Sequence, residues 1–365
     1  MPTLRKICAG LLFVSTLSCY AEPPPPPRAV TTNLKSDETV ILFPTNVFFD
    51  AKQNRWVAHI HGWVFEPEQD SALRNSLIGS VRAFLDIDQS SHAYPLFTAR
   101  TRMFLVDNEG DKDIALQVRG QNIQAHKTGD NGHFELLTPL AIETSGCTKW
   151  LNVKVITPQD DQRDFSGRIQ CVAEQGISVI SDIDDTIKQS NVLDKKELMK
   201  NTFVRDFKAV HGMAELYRAW SAQGYAFHYV SSSPWQLYPA LNAFLLDADY
   251  PAGSMHLKLV RLKDTSFFNL FDTPEAGKFP EITALLTQYP QRKFILVGDA
   301  GEKDPEIYAR IAKDNPDRIL KILIRRLPGQ SGDLTPRFAG LAASKWQVFE
   351  QAEQVLNAIA IRDPR

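Results

Sequence analysis

A short apolar run that breaks abruptly into acid constrains this chain more than any other feature. In residues 176–192, GISVISDIDDTIKQSNV, the β-branched Ile177, Val179 and Ile180 lead into Asp182, Asp184 and Asp185. An apolar run of this length reads as a buried strand, central in a parallel sheet. In open α/β sheets ligands sit outside the carboxyl ends of the strands, where these acids fall. Carboxylates packed this closely repel one another, and a bound cation is the simplest compensation. A helix cap on a solvated acidic turn would use the same letters, so the other strand ends have to decide.

From residue 176 onward, strand patterns alternate with helical ones, as in a parallel α/β domain. Val210, Met213, Leu216, Tyr217 and Trp220 keep the spacing of one buried helix face, ended by Gly224. Residues 225–230 form the next strand and run into Ser231, Ser232 and Ser233. Lys278 precedes a helix over 281–288 that carries Ile282, Leu285 and Leu286. Residues 293–297 read as a strand entering Gly298-Asp299, and Asp304-Pro305 opens a helix with a cap and proline at its first position. A further strand is expected over 319–324 and, past a Gly/Pro-rich break at 328–336, a terminal helix over 338–360.

Four elements thus carry polar chemistry in the order DxDxT, Ser, Lys, GDxxxxD. That order resembles the haloacid dehalogenase superfamily of aspartate-nucleophile phosphotransferases, over about residues 176–326. The resemblance implies a haloacid-dehalogenase-like Rossmannoid α/β sheet with helices on both faces. It makes Asp182 the nucleophile that forms an aspartyl-phosphate, and Asp184 the general acid and base. A carboxylate nearing a phosphate dianion is repelled by about 4 kcal/mol per unit-charge pair at 4 Å and an effective dielectric of 20. Mg²⁺ between Asp182, the backbone carbonyl of Asp184 and Asp299 would offset much of that. Ser231 and Lys278 would hold the phosphoryl oxygens, with Thr186 and Asp304 in support. Ser232 or Ser233 could replace Ser231, Lys258 competes with Lys278, and Asp304 is equally a helix cap. Residues 272–279 approach a Walker A loop, but Asp272 and Phe279 occupy its Gly and Ser/Thr positions.

A closer resemblance rests on SDIDDTIKQSNVLDKKELMKNTF, VHGMAELYRAW, FHYVSSSPWQLYP and RKFILVGDAGEKDPEIYARIA, joined by the earlier LFPTNVFFD and HGWVFEP. These segments resemble the actin-patch-protein branch of Mg²⁺-dependent phosphatidate phosphatases, relatives of the lipins. The resemblance implies conversion of phosphatidate to diacylglycerol. Asp185 stands where lipins commonly carry glycine.

At 365 residues the chain is long enough for two domains. A formal net charge of −2 with 23% charged residues carries no nucleic-acid signature. Residues 37–175 show short strands between turn residues, at 40–43, 56–65, 82–85, 114–118, 134–136 and 150–156, as in a β-sandwich-like domain. His59 and His61 share a strand face as a metal pair would, but no third ligand lies at a familiar spacing, and a polar sheet face is the safer reading. Cys147 and Cys171 flank two strands, which permits either a disulfide or two buried thiols. Arg5 and Lys6 before an apolar run at 7–17 read as a secretory signal cleaved after Ala21, or as a lipoprotein leader retaining Cys19. A Pro-rich linker follows over 22–36, the phosphatase domain spans 176–330, and the C-terminal helix lies within 331–365.

The sequence therefore reads as a periplasmic or secreted phosphatidate phosphatase that uses Mg²⁺, touches a membrane surface transiently and binds no nucleic acid. A phosphomonoesterase acting on a soluble phosphoester and a non-catalytic lipid- or protein-binding module are the competing readings. Phe267, Phe268, Leu270 and Phe271, beside Lys258, Arg261 and Lys263, would suit a loop resting on an anionic membrane, or a cap whose aromatics pack inward.

Overall fold

The computed structural model describes residues 30–67, 72–142, 147, 150–260 and 275–356. The leader readings at Cys19 and Ala21 and the aromatic loop around Phe267 lie outside the described residues. The first half contains β1 (Thr39–Leu42), β2 (Asn46–Asp50), β3 (Arg55–Glu66), α1 (Ala72–Phe84), α2 (Tyr94–Arg102), β4 (Asp107–Asn108), β5 (Ala115–Val118), β6 (Gln121–Gln124), β7 (His133–Leu140), β8 (Trp150–Val155) and β9 (Ser166–Cys171). Its strands join one sheet, in which the long β3 borders β1 and β2 on one edge and β7 and β4 on the other. Alternation along β7 and β8 sends Phe134, Leu136, Leu140, Leu151, Val153 and Val155 into one common core.

Two expectations are corrected here. Residues 82–85 are not a strand but the end of α1: Ile78, Val81 and Leu85 recur at helical spacing and face the core together. Residues 31–35 are not free linker. Thr31 N–H donates to Gln124 Oε1 (2.7 Å), Asn33 N–H to the Asp113 carbonyl (3.1 Å), and Leu34 is buried.

The second half contains β10 (Ile177–Ser181), α3 (Lys195–Phe203), α4 (Met213–Ala222), β11 (Ala226–Pro234), α5 (Tyr238–Asp247), β12 (Ser254–Lys258), α6 (Glu275–Gln288), β13 (Lys293–Asp299), α7 (Asp304–Asp314), β14 (Ile319–Arg325) and β15 (Trp346–Phe349). All six strands are parallel, in the order β12-β11-β10-β13-β14-β15. Both faces are covered, which is why the central strands read as largely apolar. Val179, Val297 and Leu323 pack with α3–α5, whereas Ile180, Leu296 and Ile322 pack with α6 and α7. The helix expected over 338–360 is absent as far as residue 356. Short 3₁₀ turns flank β15 there, because Trp346-Gln347-Val348-Phe349 extends the open edge of β14.

The two halves share a core. Phe43, Trp63 and Phe65 pack in the same cluster as Val179, Tyr229 and Trp235. Met255 N–H donates to the Pro44 carbonyl (2.7 Å), and Asn46 Nδ2 to the Tyr289 hydroxyl (2.7 Å). Gly176 makes the entry into β10 with φ +113°, and a Cβ there would lie 3.1 Å from the Arg292 guanidinium that clamps this turn.

The polar-face reading of His61 is also corrected. His61 is buried at the junction, its ring 4.7 Å from Trp235 and its Nε2 2.9 Å from His133 Nδ1, while His59 pairs with Glu135. Burial lowers the His133 pKa to about 4, against a smaller opposing pull from Glu135, and burial pushes His61 well below its usual value. The unfolded chain takes up its His133 proton near pH 6.5 and the native one only near pH 4, so stability falls on acidification between those values. Going from pH 7 to pH 5 should cost about 2 kcal/mol from His133 alone, read by urea denaturation, and His133→Gln should flatten that dependence. Cys147 and Cys171 are joined, with Cα atoms 5.8 Å apart. Reducing the bond should lower stability by about 3 kcal/mol on the loop-entropy model, and peptide mapping of exported protein without reductant should find the two cysteines linked.

Candidate functional site

Asp182 leaves the end of β10 with its N–H donating to the Val297 carbonyl (2.9 Å), which fixes it between the two central strands. The chain then turns sharply. Asp185 adopts φ +53°, and its carboxylate accepts from the N–H groups of Ser190 (2.8 Å), Asn191 (2.9 Å) and Val192 (2.6 Å). Arg325, from the end of β14, donates to the Asp185 carbonyl (2.6 Å) and locks the turn from the far side. The third acid of the motif is thus a scaffold for the loop rather than a reactive group. Thr186 Oγ1 donates to Asp182 Oδ2 (2.9 Å).

Around Asp182 lies a buried cluster with unequal charge. Lys278 Nζ stands 2.8 Å from Asp182 Oδ1, 2.7 Å from Asp304 Oδ1 and 2.9 Å from Glu302 Oε2. It sits inside the first turns of α6 rather than ahead of the helix, and it is 2% exposed. Asp182, Asp299 and Asp304 each offer a carboxylate oxygen within 4.8 Å of the others. Gly298 permits this approach, since a Cβ there would lie 2.3 Å from Asp304 Oδ2. Asp299 Oδ1 accepts from Gly301 N–H (2.6 Å) and Glu302 N–H (3.2 Å), but its Oδ2 is buried without a hydrogen-bond partner. Asp182 Oδ1, close to the ammonium, likewise lacks an aligned donor.

One ammonium facing four carboxylates leaves negative charge in a dry place. Burial, then the neighbouring carboxylates, push Asp182 and Asp299 well above the usual carboxylate range, with only Lys278 opposing. Burial alone would lower Lys278, but Asp182, Asp304 and Glu302 outweigh it and hold the ammonium protonated. A divalent cation fits this donor set: hard oxygen ligands, two of them unsatisfied, and a charge deficit. Asp304, expected as support, stands among the oxygens that would hold it, and Glu302 is a participant the sequence reading missed. The signal for Glu302 was its place inside GDxxxxD.

Asp184 lies in a separate environment. Its Oδ1 meets Lys188 Nζ (2.7 Å) and accepts from Ser190 Oγ (2.7 Å), and its Oδ2 accepts from Ser233 Oγ (2.8 Å) and Ser231 Oγ (3.3 Å). Burial would raise its pKa, but the Lys188 charge and these donors lower it to about 2. Ser231 and Ser233 share one face of β11 and reach the same carboxylate, whereas the Ser232 hydroxyl is buried without a partner. Lys188 and Ser190 were not anticipated, although Lys188 stands four residues beyond Asp184.

A parallel α/β domain with a buried acid cluster at the carboxyl edge of its central strands offers oxygen donors that could hold a divalent cation. Residues 177–326 match the family described as "Phosphatidate phosphatase APP1, catalytic domain". The phosphatidate phosphatase APP1 of Saccharomyces cerevisiae is 33% identical over 209 residues, covering 53% of this chain and 33% of that protein. An uncharacterized protein of Schizosaccharomyces pombe is 29% identical over 207 residues, covering 54% and 34%. The chain thus spans about a third of the length of these relatives.

The charge deficit has a measurable consequence. In cation-free buffer at pH 7, Asp299→Asn should raise the melting temperature, because the neutral amide removes one carboxylate from a buried cluster that already disfavours its charge. Millimolar Mg²⁺ should raise the melting point of the unaltered protein and leave that of Asp299→Asn nearly unmoved. Equal Mg²⁺ responses in the two proteins would exclude Asp299 as a ligand.

Proposed function

We propose that this protein is a Mg²⁺-dependent phosphatidate phosphatase that works through an aspartyl-phosphate on Asp182. The observation that carries the reading is the Asp182–Asp299–Asp304 cluster with Lys278, inside the segment that matches the phosphatidate phosphatase catalytic family. Asp182, Asp299 and Asp304 would hold the ion, which would lessen the repulsion between the nucleophile and the substrate phosphate.

Asp182 attacks phosphorus, its Oδ2 oriented by Thr186, while Lys278 neutralises charge beside Oδ1. Ser231 and Ser233 present hydroxyls to the same cleft. Ionised as it stands, Asp184 suits the second half-reaction, in which it accepts a proton from the water that attacks the phosphoenzyme. Before the first half-reaction it must take up a proton for the leaving alkoxide, which requires its ion pair with Lys188 to open. The six parallel strands with helices on both faces support a haloacid-dehalogenase-like fold, and the common core of the first half supports a β-sandwich-like arrangement. The Cys147–Cys171 bond supports export to the periplasm or beyond.

Phosphate release from phosphatidate in detergent micelles, and from a panel of soluble monophosphates, with Mg²⁺ or with EDTA, tests the reading. Mg²⁺-dependent turnover that favours phosphatidate is expected. Preference for a soluble ester would redirect the substrate, and full activity in EDTA would remove the ion. Asp182→Asn should abolish both turnover and phosphoenzyme. Asp184→Asn should still be phosphorylated by an ester with a good leaving group while net turnover falls by about 10²–10⁴-fold.

A further inference from the structure

A mostly apolar groove of about 560 Å³, with Arg100, Asp206 and Asp247 also in its lining, is not used by the chemistry above. Its walls come from both halves of the chain: Leu96, Ala99 and Met103 on and after α2, Phe207 from the loop after α3, and Ala243 and Phe244 on α5. On α5 the lining positions Ala240, Ala243, Phe244, Asp247 and Ala248 recur at helical spacing, so one face of this helix is left facing the groove.

The groove begins at the catalytic edge. β11 delivers Ser231 and Ser233 there, and the chain passes through Trp235–Leu237 into α5. Gln236 and Leu237 line the near end of the groove, and Asp247 lies at the far end of α5. At 1.5 Å per residue the path is roughly 15 Å long. Phe207 ties the wall to the reacting groups: Lys188 Nζ lies 4.7 Å from its ring centroid and 2.7 Å from Asp184 Oδ1. A slot whose walls are mostly apolar, and whose near end follows directly on the serine strand, complements a molecule with a phosphate head and a hydrocarbon tail.

We propose that this groove takes one acyl chain of the glycerophospholipid substrate while its phosphate is held at Asp182. The inference rests on the phosphatidate reading and deepens it. Seated in the groove, the chain would fix the head group at the site with hydrophobic free energy, so that longer chains raise kcat/KM until the groove is filled.

The test uses the full chain and two readouts. The first is titration with cis-parinaric acid, a fluorescent fatty acid, below its micellar concentration. The second is kcat/KM for dihexanoyl and dihexadecanoyl phosphatidate presented at equal mole fraction in one detergent. Ala243→Trp fills the groove from an exposed helix position, and Ala222→Trp, exposed on α4 away from it, controls for a surface tryptophan. Saturable binding of one probe per chain, weakened at least tenfold by Ala243→Trp and unaltered in Ala222→Trp, is expected. The long-chain preference in kcat/KM should shrink in Ala243→Trp by a similar factor. Absence of saturable binding, or equal binding by Ala243→Trp and the unaltered protein, overturns the groove assignment even if phosphatidate is hydrolysed. Groove-dependent binding of the probe without hydrolysis of any phosphatidate upholds the acyl site and overturns the phosphatidate phosphatase reading instead.

Discussion

The structure depends on a charge imbalance that the fold buries and does not resolve. Lys278, almost inaccessible to water, is the ammonium among Asp182, Asp304 and Glu302, with Asp299 close by. Burying charge is unfavourable unless partners satisfy it, and here two carboxylate oxygens lack a hydrogen-bond donor. The fold can hold such a site only because everything beneath it is well packed. β10 is flanked by β11 and β13 and sealed by apolar clusters on both faces.

Each acid of the DIDD run answers to a different partner. Asp182 faces the cluster, Asp184 faces Lys188 and the serines, and Asp185 binds three backbone N–H groups of its own loop. Closely spaced carboxylates repel only when they share a space, and the left-handed turn at Asp185 gives them separate ones. The result is three acids in three environments: one in the charge-deficient cluster, one ion-paired and accepting from hydroxyls, and one capping its own loop. The junction between the halves adds a second electrostatic feature, the His61–His133 pair, in which burial disfavours protonation and His61 packs against Trp235, the residue that follows the serine strand.

Much of this was legible in the sequence wherever a single physical rule governs the residue. The runs at Ile177, Phe294 and Ile322 read as strands because parallel strands buried on both faces are mostly apolar. Asp182, Asp299 and Ser231 stood out because they end such strands, and Lys278 because it precedes the apolar helix pattern that leads to β13. The misreadings share a cause. In RAFL at 82–85 and WQVF at 346–349 the run is too short for periodicity to separate helix from strand, and tertiary packing decided against the reading each time. Arg325 escaped notice because its role comes from which strand ends the topology makes neighbours, whereas Lys188, four residues beyond Asp184, and Glu302, inside GDxxxxD, stand close in sequence to the acids. The order β11-β10-β13-β14 is not written in any one segment.

The nucleophile is the centre of the account, and trapping it is the most direct test. Protein mixed with ³²P-labelled phosphatidate and Mg²⁺, quenched in acid within a single turnover and digested, should carry base-labile label on the peptide containing Asp182, and on Asp182 itself. Label on another residue, or phosphate release without any labelled peptide under conditions that trap acyl phosphates, would contradict the mechanism.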